Sequence, residues 1–190
     1  MGVDYGEEDI HYDGSFSCFF AAMTALGTSI RVPMPAAIGS PFVHVGNTVA
    51  ILSVLLMGYR HGALAAGIGF AIFDILSGYA VEAPYYFIEI FIVGAAAIGT
   101  WRLVDFSTHK TFTRLMMILL IASIAKLIMT LLHNFVKALI IGTNAPTAVS
   151  LSLASVFPTV INCVTTIVLA GILYWPLEKI LNKMILNKGY

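Results

Sequence analysis

The run from residue 111 to residue 141 is apolar for most of its length, yet Lys126, Thr130, His133, Asn134 and Lys137 interrupt it at spacing i, i+4, i+7, i+8, i+11. That spacing puts all five side chains on one stripe of a helix. A helix rises about 1.5 Å per residue and a bilayer core is about 30 Å thick, so about 20 apolar residues cross it. This run is longer than that, and its setting is a membrane. Composition agrees: 59% of the 190 residues are hydrophobic and 11% are charged, against about a quarter charged in soluble domains. A lysine at the centre of a span costs roughly 2.5–3.5 kcal/mol on insertion scales, so such groups face a cavity or a partner. The stripe reads as one wall of a polar pocket.

The same numbers exclude several functions. The formal net charge is zero, and no Lys/Arg cluster dense enough to track phosphates is present, so no nucleic-acid partner is expected. Cys18 and Cys163 lie outside any CxxC or His-rich spacing. They are read as small packing residues, with no metal site, redox pair or cofactor. Residues 1–15 carry Asp4, Glu7, Glu8, Asp9 and Asp13 without a Lys or Arg. This acidic tail is neither a secretory leader, which needs a basic start, nor a myristoylation signal, which needs Ser or Thr at the sixth position. Residues 16–190 are then expected to form a single membrane domain.

Apolar runs and their breakers divide that domain into six expected transmembrane helices, at 16–30, 47–57, 63–76, 84–100, 111–141 and 153–174. Pro33 and Pro35 end the first and open a long connection to Asn47. The second run is short, so part of this first outer loop is expected at membrane depth, enclosed by protein. Pro84 suits the first turn of the fourth helix. Gly142-Thr-Asn-Ala-Pro-Thr147 reads as a polar loop, and a basic amphipathic tail follows Pro176. With six spans both termini share a side. Placing them in the cytoplasm puts Arg60, Arg102, Lys110, Arg114, Lys179, Lys183 and Lys188 inside, as the positive-inside rule asks. His44, Asn47, Asp74, Glu82 and Glu89 then gather toward the outside, where a pocket opens about a third of the way into the bilayer. Its candidate lining is Asp74, Glu89, Lys126, His133, Asn134 and Asn162, with His44, Asn47, Tyr79 and Tyr85 nearby.

The middle of the chain contains His44-Val-Gly-Asn47, Gly58-Tyr-Arg-His-Gly62-Ala-Leu-Ala-Ala-Gly67, Asp74-Ile-Leu-Ser-Gly78-Tyr79 and Ala83-Pro84-Tyr-Tyr-Phe87. From residue 43 to residue 99 this ordered set resembles the membrane-embedded substrate-binding S components of energy-coupling factor (ECF) vitamin transporters, a branch of the ABC importers. The resemblance implies a vitamin-binding subunit of the bacterial plasma membrane. Its implied partners are a transmembrane coupling protein and two ATPase subunits. It also implies no nucleotide site, in keeping with the absence of a GxxxxGK[ST] loop. It assigns the small-residue pair Ala21 and Ala25 on the first helix to docking with the coupling protein. Two positions depart from the pattern of the riboflavin-like relatives. Asn47 stands where an acidic residue is expected, and Glu89 where a basic one is usual. These departures turn the expected ligand toward a pyridoxine-like or hydroxymethylpyrimidine-like vitamin or precursor.

Each candidate also has a structural alternative. Asp74 can satisfy loop amides near Tyr79, Glu89 can pair with Lys126 or Lys137, and Lys137 can snorkel to the surface. His133 and Asn134 can bond between helices, and His44 can order its loop. Tyr79 and Tyr85 can belong to an interfacial aromatic belt, and Ala21 and Ala25 to internal packing. Two other function classes would share some of these features. A proton-coupled secondary transporter would also bury Asp, Glu and Lys, but this chain has no repeated half. An enzyme would need a catalytic cluster, and neither HExxH nor a paired-Asp motif is present.

Overall fold

The computed structural model describes residues 14–187, with side chains to residue 184. The acidic segment 1–13 and Lys188 lie outside the described residues. Within them the chain forms seven α-helices and one two-stranded antiparallel hairpin. The order is α1 (Gly14–Ser29), β1 (Arg31–Pro33), β2 (Phe42–His44), α2 (Gly46–Met57), α3 (Tyr59–Leu76), α4 (Ala83–Leu103), α5 (Phe112–Ile140), α6 (Ala145–Ala154) and α7 (Phe157–Asn187).

Three stretches are long and apolar enough to cross a membrane by length and composition: Ala83–Leu103, Phe112–Ile140 and Phe157–Met184. α2 and α6 are apolar but shorter. With 12 residues, α2 is only about 18 Å long, short of a bilayer core. Apart from Asn47, Thr48 and Ser53 it is apolar all round because it is surrounded: α1, α3, α4 and α7 all pack on it, and of its residues only Val49 is not fully buried. A helix enclosed on all sides loses the polar face that a surface helix keeps. Backbone approaches are closest at two glycines. A Cβ on Gly62 would lie 2.3 Å from the Ser53 carbonyl oxygen, and one on Gly69 would lie 2.4 Å from the Ala21 carbonyl oxygen. These contacts lock α3 against α2 and α1.

Two expectations change here. Residues 145–154 form a helix where a loop was expected. Asn144 caps it by accepting from the Thr147 N–H at 3.0 Å, and Pro146 lies in the first turn, both helix-start signals. The last helix does not stop at Tyr174 but runs through Pro176. Tyr174 and Leu181 are buried in the core on either side of the proline, and Glu178 pairs with Lys110, so tertiary contacts hold the segment that proline would end.

α6 and α7 follow one another along α5. Ser152 on α6 donates to the Leu131 carbonyl at 2.7 Å, and Cys163 on α7 lies 3.6 Å from the Ser123 carbonyl. Position rises along α6 and α7 while it falls along α5, so both run antiparallel to it, one after the other. The interruption at Ser155 and Val156 is therefore level with the middle of α5. Ser155 is buried there.

The hairpin closes over the same region. β1 and β2 pair with Arg31 opposite His44, Val32 opposite Val43 and Pro33 opposite Phe42. Asn162 on α7 holds the outer edge of β2: its Oδ1 accepts from the His44 N–H at 3.0 Å and its Nδ2 donates to the Phe42 carbonyl at 2.9 Å. The connection between the strands is pinned where α6 and α7 meet, by Ile38 N–H donating to Ser155 Oγ at 2.9 Å.

Candidate functional site

α4 and α5 are antiparallel neighbours, and their polar residues repeat every two turns on facing stripes. Glu89 pairs with Lys126, Oε2 to Nζ 2.5 Å. Two turns toward the start of α4, Glu82 meets His133 at 2.8 Å and Lys137 at 2.5 Å. Tyr85 links the two groups. Its hydroxyl donates to Glu89 Oε1 at 2.7 Å, and its ring stacks on His133 with centroids 3.7 Å apart and planes at 17°. The stripe that interrupts the apolar run of α5 is thus answered by acids on α4. Glu82, at the N-cap of α4, has its pKa lowered to about 2: the His133 hydrogen bond, aided by Lys137, outweighs the burial that would raise it.

Two adjoining cavities lie against this ladder. The outer one has a volume of about 70 Å³. Its polar wall comes from Tyr85 and Tyr86 of α4 and Lys126, Thr130, His133 and Asn134 of α5. The hairpin and its connection contribute Ile38, Pro41, Phe42 and His44, with Asn47 from the start of α2. Ser155, Pro158, Thr159 and Asn162 close it from the interruption between α6 and α7. The inner cavity measures about 30 Å³ and shares Asn47 and Lys126 with the outer one. Glu89, Ser123, Cys163 and Thr166 give it polar edges, and the rest of its lining is aliphatic or aromatic.

Of the residues singled out from sequence, the structure brings His44, Asn47, Tyr85, Lys126, His133, Asn134 and Asn162 to the outer cavity, and Glu89 to the inner one. Asp74 and Tyr79 line neither. Asp74 is buried at the end of α3, and its Oδ2 has no hydrogen-bond partner among the described residues. Tyr79 packs 5.9 Å from the Phe42 ring and beneath the Arg31 guanidinium, 5.3 Å from the ring centre. His44 Nε2 lies 3.4 Å from Asn47 Nδ2, while its Nδ1 is buried without a partner among the described residues. Ala21 is turned inward against Gly69 of α3, so its neighbour is internal. Ala25 is half-buried, and Phe19, Ala22 and Leu26 form the exposed side of α1.

Ile38, Pro41, Phe42, Ser155, Pro158 and Thr159 also line the outer cavity. None sits in a periodic polar stripe; they reach the cavity through the fold of the hairpin and the helix interruption. Thr130 belongs to the polar stripe of α5 that the sequence marks as a pocket wall, and Tyr86 lies one turn before Glu89 on α4.

A protein-family model described as ECF-type riboflavin transporter, S component, matches residues 15–179. No curated protein and no solved structure gives a match. The match takes in both cavities and reaches into the last helix; the chain belongs to the ECF-type S component family, membrane-embedded substrate-binding subunits of vitamin transporters that are not enzymes.

Proposed function

We propose that this S component binds a single-ring, hydrogen-bonding vitamin or precursor, pyridoxine-like or hydroxymethylpyrimidine-like, in the outer cavity. The observation that carries this reading is a cavity of about 70 Å³ whose charged lining is already compensated. Sites for drug-sized ligands run to about 300–1,000 Å³, so a three-ring ligand such as riboflavin fits these dimensions less well than one ring does. Lys126 is matched by Glu89, and His133 is held by Glu82, which leaves neutral groups on Asn47, Tyr86, Thr130, Asn134 and Thr159 to meet hydroxyls and ring nitrogens. Tyr79 stays in the proposal as a support of the hairpin, and Asp74 as a buried group whose backbone carbonyl holds the Tyr79 N–H, rather than as ligand contacts.

Import would follow docking on a transmembrane coupling protein driven by two ATPases, in the bacterial plasma membrane and with both termini cytoplasmic. In this arrangement the six crossings are α1, α2 with its hairpin, α3, α4, α5, and the interrupted α6–α7. The docking face on α1 is Ala25 with the exposed Ala22, between Phe19 and Leu26.

Calorimetry on detergent-purified protein with pyridoxine, 4-amino-5-hydroxymethyl-2-methylpyrimidine and riboflavin tests the ligand. Tight binding of one of the first two, and not of riboflavin, is expected; the reverse order overturns the assignment. Proteoliposomes containing only this chain should not accumulate the ligand. Accumulation driven by a proton gradient alone would make it a secondary transporter.

A further inference from the structure

The inner cavity is not needed to hold a polar ring, and its lining has a different character from the outer one. Ala50, Ile51, Ile90, Val93, Leu119 and Ala122 make one continuous aliphatic part of its wall. Its polar edge toward the outer cavity is occupied internally, because the Lys126 ammonium is drawn onto Glu89 and that carboxylate also accepts from Tyr85. A volume of about 30 Å³ has room for one small group.

Resting on the single-ring reading above, we infer that the inner cavity is a specificity subsite for a methyl group on the ligand ring. The ring lies in the outer cavity with its hydroxyl-bearing edge toward Thr130, His133 and Asn134, and its methyl-bearing edge passes between Asn47 and Lys126 into the aliphatic chamber. These two residues are the only ones the cavities share, so they frame the passage. The subsite selects by fit. A hydrogen leaves the chamber unfilled, whereas an ethyl group overfills it.

Calorimetry tests this with pyridoxine against 2-norpyridoxine, and with the methylated pyrimidine against its 2-desmethyl analogue. The wild-type protein should prefer the methylated member of the pair it binds by roughly five- to tenfold, the range expected for one methyl group in an apolar pocket. Ala122→Val fills the chamber and should bring that ratio close to one. Ile90→Val is a milder change, suited to the case in which Ala122→Val fails to fold. It enlarges the chamber and should improve relative affinity for the 2-ethyl analogue severalfold. Equal wild-type affinity for methylated and desmethyl ligands would overturn the subsite while leaving the single-ring reading intact. A ratio unchanged by both variants would do the same. If wild-type protein bound neither ring class and took riboflavin instead, both readings would fall together.

Discussion

Glu89 carries the most information of any single residue, because it serves two partners at once. Its carboxylate compensates Lys126 and accepts from Tyr85, so a loss of binding in Glu89→Gln would mix two effects. Leaving a buried charge without its partner costs about 3–5 kcal/mol, whereas replacing both members of a pair with uncharged side chains is often neutral. The expected outcome is therefore a marked drop in thermal stability for Glu89→Gln alone and recovery of most of it in Glu89→Gln with Lys126→Met. Loss of one charged hydrogen-bond partner of a bound ligand is worth about 1.5–3 kcal/mol, or roughly ten- to more than a hundredfold. His133→Ala, which removes a group at the outer cavity, should weaken ligand binding at least tenfold; Thr113→Ala, exposed near the start of α5, should not. Thermal unfolding and calorimetry on the same preparations separate the two contributions. Wild-type affinity in His133→Ala would make the α4–α5 ladder a packing device and move the site toward His44.

At the scale of elements, legibility followed the strength of local signal. α5 was readable almost to the residue because a long apolar run carries its own period, and the polar stripe named one wall of the cavity before any neighbour was known. α6 was not, because its polar N-cap and proline look the same in a loop as at a helix start. The short α2 was placed correctly, and its burial explains why it needs no polar face. The hairpin wall had no period to find. Asn162 reads in sequence as a ligand contact; in the structure both ends of its amide hold the β2 backbone, while its side chain still borders the cavity. α1 yields a prediction of its own. Ala21→Trp would drive an indole into the α1–α3 contact, where Gly69 already touches the Ala21 backbone, so folded protein should be lost. Ala25→Trp and Ala22→Trp should fold and bind ligand normally yet abolish uptake, as measured by gel filtration, calorimetry and transport with the complete module. Normal uptake by both would place the docking surface on another helix.

For the whole molecule, topology is the property that most needs a direct measurement. In a background lacking Cys18 and Cys163, single cysteines at Thr147, at the start of α6, and at His109, between α4 and α5, should differ. A membrane-impermeant thiol reagent applied to intact cells should modify the first and spare the second; the opposite pattern would invert the orientation. The α4–α5 ion pair also bears on how the protein is made. α4 is synthesised first and carries the Glu89 carboxylate toward the lipid before Lys126 exists. An acidic group at the centre of a span costs roughly 2.5–3.5 kcal/mol on insertion scales and less nearer its end; a solitary α4, with Glu89 a third of the way along it, must bear part of that cost. The two segments are joined by a short turn, residues 104–111, and each supplies the counter-ion that the other lacks. Biogenesis should therefore proceed with α4 retained at the translocon until α5 arrives, so that both partition into lipid as one helical hairpin. Glycosylation mapping of chains truncated after α4 should find that helix poorly integrated, and Glu89→Leu should restore its integration without α5. Full integration of the unaltered truncated chain would show that the membrane accepts the acid unaccompanied.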